Sequence, residues 1–128
     1  MSVWYPLLED VENANKVAIE KFRATKAERF EVLSSSKLEQ SLIRIRKRKG
    51  SIERRAAFLL KELSSAHVFA SANRRTAYII MNKFLWKNRG YMIAKKKEYT
   101  KQLFKELRRR DVKEEEIINW YERKKSYI

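Results

Sequence analysis

Apolar residues recur every three or four positions on both sides of a short polar stretch near the middle of the chain. The first series is Ile52, Ala56, Leu59, Leu63 and Ala66, and the second is Ala77, Ile80, Met81, Phe84 and Leu85. This spacing places each series on one face of an α-helix. The pattern therefore predicts a helix over residues 52–66, a loop, and a helix over residues 72–87.

The same periodicity predicts helices on either side of this central pair. One covers residues 7–27, with Leu8, Val11, Asn15, Ala18, Ile19 and Phe22 on its inner face. Two later helices present Tyr99, Leu103, Phe104 and Leu107, and then Ile117, Trp120 and Tyr121. The 128 residues are 44% hydrophobic with only 2 glycines and 1 proline, which favours helices around one core. We predict a single all-α domain over residues 1–128.

Short polar side chains indicate where several of these helices begin. Ser36 and Glu39 have the spacing of a capping box, and so have Asp111 and Glu114, in which the first residue caps the helix and the fourth reaches back to it. Ser51 is a further N-cap, directly before the first central helix. These positions predict helix starts at residues 36, 51 and 111.

The loop between the central helices contains His67, the only histidine of the chain, six residues before a polar cluster. Asn73, Arg74 and Arg75 fall at the start of the next helix, where unpaired backbone N–H groups and the helix dipole attract anions. Arginine binds phosphate oxygens, and a neutral histidine accepts a hydroxyl proton near neutral pH. The residues therefore predict a phosphoryl- or nucleotidyl-transfer site. An exposed or structural histidine is the ordinary alternative.

This stretch resembles the signature of the Fic/Doc superfamily, and more closely that of its death-on-curing (Doc) branch. The matching residues are His67, Phe69, Ala72, Asn73, Arg75 and Thr76. Arg74 stands where the Doc branch has lysine and the Fic branch glycine, and Tyr78 stands where the Fic branch has arginine. The resemblance spans residues 7–122 and implies a helical bundle with a short β-hairpin flap at residues 28–33. The residues of that segment predict only a connector.

The resemblance implies a transferase that moves phosphate, or alternatively AMP, from a nucleoside triphosphate such as ATP to a protein hydroxyl. In the Doc branch the target is a translation elongation factor, and a partner antitoxin holds the enzyme inactive. His67 takes the role of general base, and Asn73, Arg74 and Arg75 take that of phosphate-binding residues. The other motif residues, Phe69, Ser71, Ala72 and Thr76, support the loop.

Ser71 is a departure from the family pattern, because it stands where the family places an acidic ligand of Mg²⁺. A neutral hydroxyl is a poor Mg²⁺ ligand, so we assign no metal ligand in this chain and expect any Mg²⁺ to be held by water and substrate phosphates. The ordinary role of Ser71 is that of an N-cap. A second hypothesis is therefore a catalytically degenerate relative that binds nucleic acid or an acidic protein.

Positive charge dominates the composition, with 31 Lys and Arg against 16 Asp and Glu and a formal net charge of +15. Such a surface attracts polyanions. The densest cluster outside the motif is Arg44, Arg46, Lys47, Arg48 and Lys49, either a solvated helix face or a polyanion-binding surface. The absence of cysteine excludes thiolate metal sites, and no apolar run approaches the ~20 residues of a membrane span. We predict a cytoplasmic protein.

Overall fold

A computed structural model describes residues 2–22, 27–109 and 111–127 of the chain. The elements in chain order are α1 (Leu8–Phe22), α2 (Ser35–Lys47), α3 (Ile52–Ser65), α4 (Asn73–Arg89), β1 (Met92–Ile93), α5 (Lys97–Leu107), α6 (Glu114–Glu122) and β2 (Lys125–Ser126). The two strands form a small antiparallel sheet in which Met92 lies opposite Ser126. The prediction of an all-α fold is confirmed.

The predicted first helix is observed over Leu8–Phe22, and its residues 23–26 lie outside the described part of the chain. Over the residues that the structure covers, no helix is both long enough and apolar enough to cross a membrane.

Helices α3 and α4 form the centre of the bundle. Helix α1 packs on α4, while α2 and α6 pack on α3. Both predicted apolar faces are confirmed: Ala56, Leu59, Leu63, Ala77, Ile80, Met81, Phe84 and Leu85 are buried, and Ile52 and Ala66 are partly buried. The core extends along the chain from Val11 to Tyr121. Burial of these two apolar faces fixes the positions of α3 and α4 and therefore the position of the loop between them.

The predicted start of α2 is wrong by two residues. Ser34, not Ser36, is the N-cap: its backbone is extended, and its Oγ accepts a hydrogen bond from the Lys37 backbone N–H at 3.1 Å. Three consecutive serines offer three candidate caps, and backbone conformation selects among them. Ser51 is confirmed as the cap of α3, where its Oγ accepts from the Arg54 backbone N–H at 3.1 Å.

The capping box predicted at Asp111 is also wrong. Lys113 occupies the N-cap position of α6 and makes no side-chain cap bond. The Asp111 carboxylate lies 3.5 Å from Arg109 Nε, and Glu114 is held by arginines of other elements. Because Glu114 is used in these ion pairs, it is not available to complete a capping box.

Residues 28–34 run alongside the loop that joins α3 to α4. The Leu33 backbone N–H donates to the Val68 carbonyl at 2.8 Å, and the Ala70 N–H donates to the Glu31 carbonyl at 3.0 Å. Val32 and Phe69 form an isolated antiparallel bridge. This connector therefore holds the loop through backbone hydrogen bonds.

Candidate functional site

The loop between α3 and α4, residues 66–72 and hereafter the motif loop, contains two residues with left-handed backbone. His67 has φ 51° and Ala72 has φ 63°, and these are the only non-glycine residues with positive φ among those that the structure describes. This conformation costs an L-residue about 1–2 kcal/mol and persists only where the surrounding structure enforces it. Such strain often accompanies function, so the motif loop is the candidate site.

Asn73 holds the motif loop in place through its carboxamide. Its Oδ1 accepts a hydrogen bond from the Phe69 backbone N–H at 3.1 Å, and its Nδ2 donates to the Phe69 carbonyl at 2.9 Å. The Phe69 ring is buried and lies 6.2 Å from the Phe30 ring, centroid to centroid. Phe69 is thus a buried residue of the loop, and its predicted supporting role in the site stays a prediction. Phosphate binding by Asn73 stays a prediction, with the carboxamide here engaged by the loop itself.

Asn15 of α1 anchors the motif loop from outside, and the sequence analysis missed this role. It is fully buried, and its Nδ2 donates to the Ser71 carbonyl at 2.8 Å and to Thr76 Oγ1 at 3.0 Å. Thr76 Oγ1 in turn donates to the Ala72 carbonyl at 2.7 Å. Asn15 had been grouped with its apolar neighbours. A single amide on an otherwise apolar helix face was the available signal.

The start of α4 lacks the usual stabilising groups. Ala72 is its N-cap and makes no side-chain cap bond, so the alternative in which Ser71 caps the helix is wrong. The first turn contains no acidic residue, whereas every other helix in the described ranges has either a serine cap or an acid there. The first-turn N–H groups and the positive end of the dipole therefore suit an anion.

The two arginines of this turn have different environments. Arg74 is exposed and makes no ion pair with any residue in the described ranges. Arg75 is mostly buried and pairs with Glu28 of the connector, whose side chain is 13% exposed. A phosphate bound at this turn can therefore reach Arg74 directly, but it must share Arg75 with the Glu28 carboxylate.

A cleft of about 700 Å³ opens beside the motif loop, and both His67 and Arg74 line it. Its apolar lining includes Phe58, Leu107 and Val112, and its cations include Lys61 and Arg108. Lys61 and Arg108, like Arg74, have no ion-pair partner within the part of the chain that is described. The cleft thus combines an apolar surface with unneutralised positive charge, next to an exposed histidine.

Two carboxylates also line the cleft, but both are already paired. Burial opposes ionisation of Glu62, yet hydrogen bonds from Arg44, at 2.8 Å, and from Ser41 outweigh it and lower the pKa of this carboxyl group. Glu114 is similar: burial raises its pKa, and the bonds from Arg48 and Arg54 lower it further than burial raises it. Neither carboxylate cancels the charge of the unpaired cations.

The predicted polyanion-binding cluster is divided by these ion pairs. Arg44 and Arg48 are committed to Glu62 and Glu114. The other three members, Arg46, Lys47 and Lys49, are exposed. These three have no ion-pair partner in the described structure. Polyanion binding by the cluster stays a prediction, and only these three members offer free charge for it.

No group of three or more histidine, aspartate or glutamate side chains that could hold a metal ion occurs within residues 2–22, 27–109 and 111–127. The hydroxyl of Ser71 supplies no negative charge for one. Binding of Mg²⁺ by substrate phosphates and water stays a prediction.

Comparison with known proteins gives a family match that includes the motif loop. The sequence model of the Fic/DOC family matches residues 7–85, more than half of the chain. The match runs from α1 into α4 and includes the whole motif loop. No curated protein sequence matches the chain.

Proposed function

Because the chain belongs to the Fic/DOC family, we propose that it is a Doc-type transferase that moves phosphate, or alternatively AMP, from a nucleoside triphosphate to a protein hydroxyl. Family membership supports a nucleotidyl or phosphoryl transferase acting on proteins. The observation that carries the proposal is the placement of His67 and Arg74 on one basic cleft, at a helix start without a cap of its own.

In this proposal the nucleotide lies in the cleft with its phosphates at the start of α4. The first-turn N–H groups and Arg74 bind phosphate oxygens, and Lys61 and Arg108 add positive charge from the cleft wall. Phe58 and Leu107 offer an apolar surface for the base. Bound this way, the phosphate chain extends toward His67.

His67 acts as the general base. Its neutral imidazole takes the proton of the target hydroxyl while the oxygen forms a bond to phosphorus and the bond from phosphorus to the leaving oxygen breaks. The left-handed backbone at His67 is compatible with this role because strain of this kind is retained where geometry matters. The enzyme contributes mainly positioning and positive charge near the transferred group.

The remaining details of the proposal follow from the resemblance. Arg74 and Tyr78 favour the Doc branch, for which a translation factor is the protein target and an antitoxin-like partner the inhibitor. Mg²⁺ would be held by the substrate phosphates and water, since Ser71 supplies no carboxylate. Cytoplasmic location belongs to the same proposal.

A second candidate function is a catalytically degenerate relative that binds nucleic acid or an acidic protein. Ser71 at the acidic position favours it, and so do the exposed cations Arg46, Lys47 and Lys49. This candidate keeps the fold and the anion-binding helix start but requires no proton transfer by His67.

Calorimetric titration of ATP, with and without Mg²⁺, tests the nucleotide site. We expect Arg74→Ala to weaken binding about 10-fold or more, because hydrogen bonds to charged groups contribute ~1.5–3 kcal/mol. Arg46→Ala is the matched control, since Arg46 is also an exposed helical arginine, and should change the affinity less than twofold. Absence of binding to the folded native protein at millimolar ATP would contradict the transferase proposal.

Labelling of a protein target from γ- or α-labelled ATP tests the chemistry. Loss of a general base lowers a rate by about 10²–10⁴-fold, so His67→Ala should lose labelling while it keeps ATP affinity within threefold. ATP binding by both proteins without labelling by either one would favour the degenerate relative.

A further inference from the structure

One face of α5 carries four basic residues at the spacing of helical turns: Lys97, Lys101, Lys105 and Arg108. All four are exposed, and none has an ion-pair partner among the residues that can be described. Arg108 is the C-cap residue and keeps helical backbone angles. The four side chains, hereafter the α5 stripe, therefore form a line about 16 Å long at a rise of ~1.5 Å per residue.

The α5 stripe is continuous with the cleft, because Arg108 belongs to both. Arg74 lines the same cleft from α4. The two helices are in contact through Tyr78 and Phe104, whose rings meet edge to face with their centroids 6.0 Å apart. Unneutralised positive charge thus extends from Lys97 along α5 and into the cleft that contains His67.

We propose that the α5 stripe binds the sugar–phosphate backbone of a nucleic acid and directs the bound strand toward the cleft at His67. This inference goes beyond the transferase proposal and does not need the protein to be catalytically active. A helix face with one cation per turn matches a backbone of regularly spaced negative charges. Binding of this kind is electrostatic and independent of sequence.

The regular spacing of the cations favours a nucleic-acid backbone as the partner. A polynucleotide carries one negative charge on every phosphate, at a regular interval along the strand. Three of the four cations are lysines, compact point charges that bind phosphate without a fixed geometry, so the strand can bind in more than one register. An acidic protein segment has no such regular spacing of charge and is the less suitable occupant of the α5 stripe.

One consequence concerns the substrate, and this step alone rests on the proposed function. A protein that is itself bound to nucleic acid would be recruited through the α5 stripe, and its hydroxyl would be presented near His67. Targets of this class would be modified faster when bound to nucleic acid than when free.

Fluorescence anisotropy with a labelled single-stranded RNA of about 20 nucleotides tests the proposal, since a site of this kind covers roughly 4–16 nucleotides. The variant Lys97→Glu/Lys101→Glu/Lys105→Glu should bind at least 30-fold more weakly than the native protein. Its slope of log affinity against log salt should be shallower by about 2, because each lysine that neutralises a phosphate of a single strand adds ~0.7 to that slope.

The matched control is Lys21→Glu/Lys37→Glu/Lys87→Glu, which changes the net charge by the same amount on exposed residues of other helices. We expect it to weaken binding no more than threefold. Equal reductions in affinity for the two variants would overturn the proposal, because they would show that binding depends on total charge alone. Absence of RNA and DNA binding by the native protein would overturn it as well.

Parallel titrations separate the classes of ligand. Single-stranded DNA and an RNA duplex of the same length distinguish the forms of nucleic acid that carry the shared backbone chemistry. Polyglutamate binding as tight as that of RNA, with the same reduction in the α5 variant, would overturn the proposal in favour of an acidic protein. If the glutamate variant has lost its helical circular dichroism, Lys97→Gln/Lys101→Gln/Lys105→Gln takes its place, with a smaller expected reduction of about 10-fold.

Discussion

Helices α2 and α3 begin in a way that α4 does not. Ser34 and Ser51 each accept a hydrogen bond from a first-turn N–H group at 3.1 Å. Helix α4 begins at Ala72, whose left-handed backbone and methyl side chain provide no cap. The starts of α2 and α3 are each stabilised by the serine directly before the helix. The start of α4 is held by Asn15 of α1 and by Asn73 of its own first turn, and neither side chain caps a first-turn N–H group. The first turn is therefore left for a ligand.

The energies of these starts differ accordingly. A serine cap contributes about 1 kcal/mol, whereas the left-handed Ala72 costs about 1–2 kcal/mol. The hydrogen bonds of Asn15 and Asn73 offset that cost, since each net contribution is roughly 0.5–1.5 kcal/mol. These bonds stabilise the helix start without using its first-turn N–H groups, so their side chains do not compete with a ligand there.

The largest change in stability is expected when the support that Asn15 gives to the start of α4 is removed. Asn15→Asp removes the donor that binds Ser71 and Thr76 and places a carboxylate in a fully buried position. We expect a decrease on the order of 3 kcal/mol in the free energy of unfolding at neutral pH, because a buried charge without a partner is strongly unfavourable. Urea unfolding measures it.

Asn13→Asp is the control, since Asn13 is exposed on the same helix, and it should change stability by less than about 0.5 kcal/mol. The deficit of Asn15→Asp should shrink as the pH falls toward about 4. Burial raises the pKa of a carboxyl group, so the folded state binds the proton more tightly than the unfolded state does, and protonation favours folding. Equal stability of the two variants would show that Asn15 does not support α4.

Much of the fold could be predicted because it depends on local periodicity. The apolar positions of α3 and α4 were correct since a residue three or four positions away lies on the same helix face whatever the tertiary structure. Gly90, with φ 77°, ends α4 in the left-handed conformation that a helix C-cap favours. Helix starts were less predictable, as at Ser34 and Lys113, because capping depends on backbone angles and on distant ion pairs.

In the candidate site, too, the features that depend on neighbouring residues could be predicted and those that depend on tertiary packing could not. His67, Arg74 and the motif loop could be recognised from adjacent residues. The pairing of Arg75 with Glu28 could not, since the two are 47 residues apart and their contact depends on the path of the connector. The support given by Asn15 depends likewise on how α1 packs on α4. Sequence reasoning thus found the residues of the loop and missed what holds them.

A smaller change in stability is expected from removing the cap of α2. Ser34→Ala removes the observed cap and should lower the free energy of unfolding by about 1 kcal/mol. Ser36→Ala changes an exposed residue inside the same helix and should be neutral or slightly stabilising, because alanine is the better helix former. Urea unfolding of the two variants decides which serine caps α2. A larger decrease at Ser36 would restore the capping box predicted there.

The smallest expected effect concerns the strain at Ala72. Ala72→Gly removes the cost of left-handed backbone at an L-residue, about 1–2 kcal/mol. It also gives the unfolded chain more conformational entropy, which destabilises the folded state by about 0.5–1 kcal/mol. The free energy of unfolding should therefore rise by roughly 0.5 kcal/mol. Ala70 lies in the same loop but does not have positive φ. Ala70→Gly therefore relieves no strain and only adds entropy to the unfolded chain, so it should lower the free energy of unfolding by about 0.5–1 kcal/mol. Thermal unfolding compares the two.

If Ala72→Gly is the more destabilising of the pair, the left-handed alanine is not strained and the motif loop is relaxed. If it is stabilising and ATP binds more weakly, the strain at the start of α4 contributes to holding the phosphate-binding turn in place.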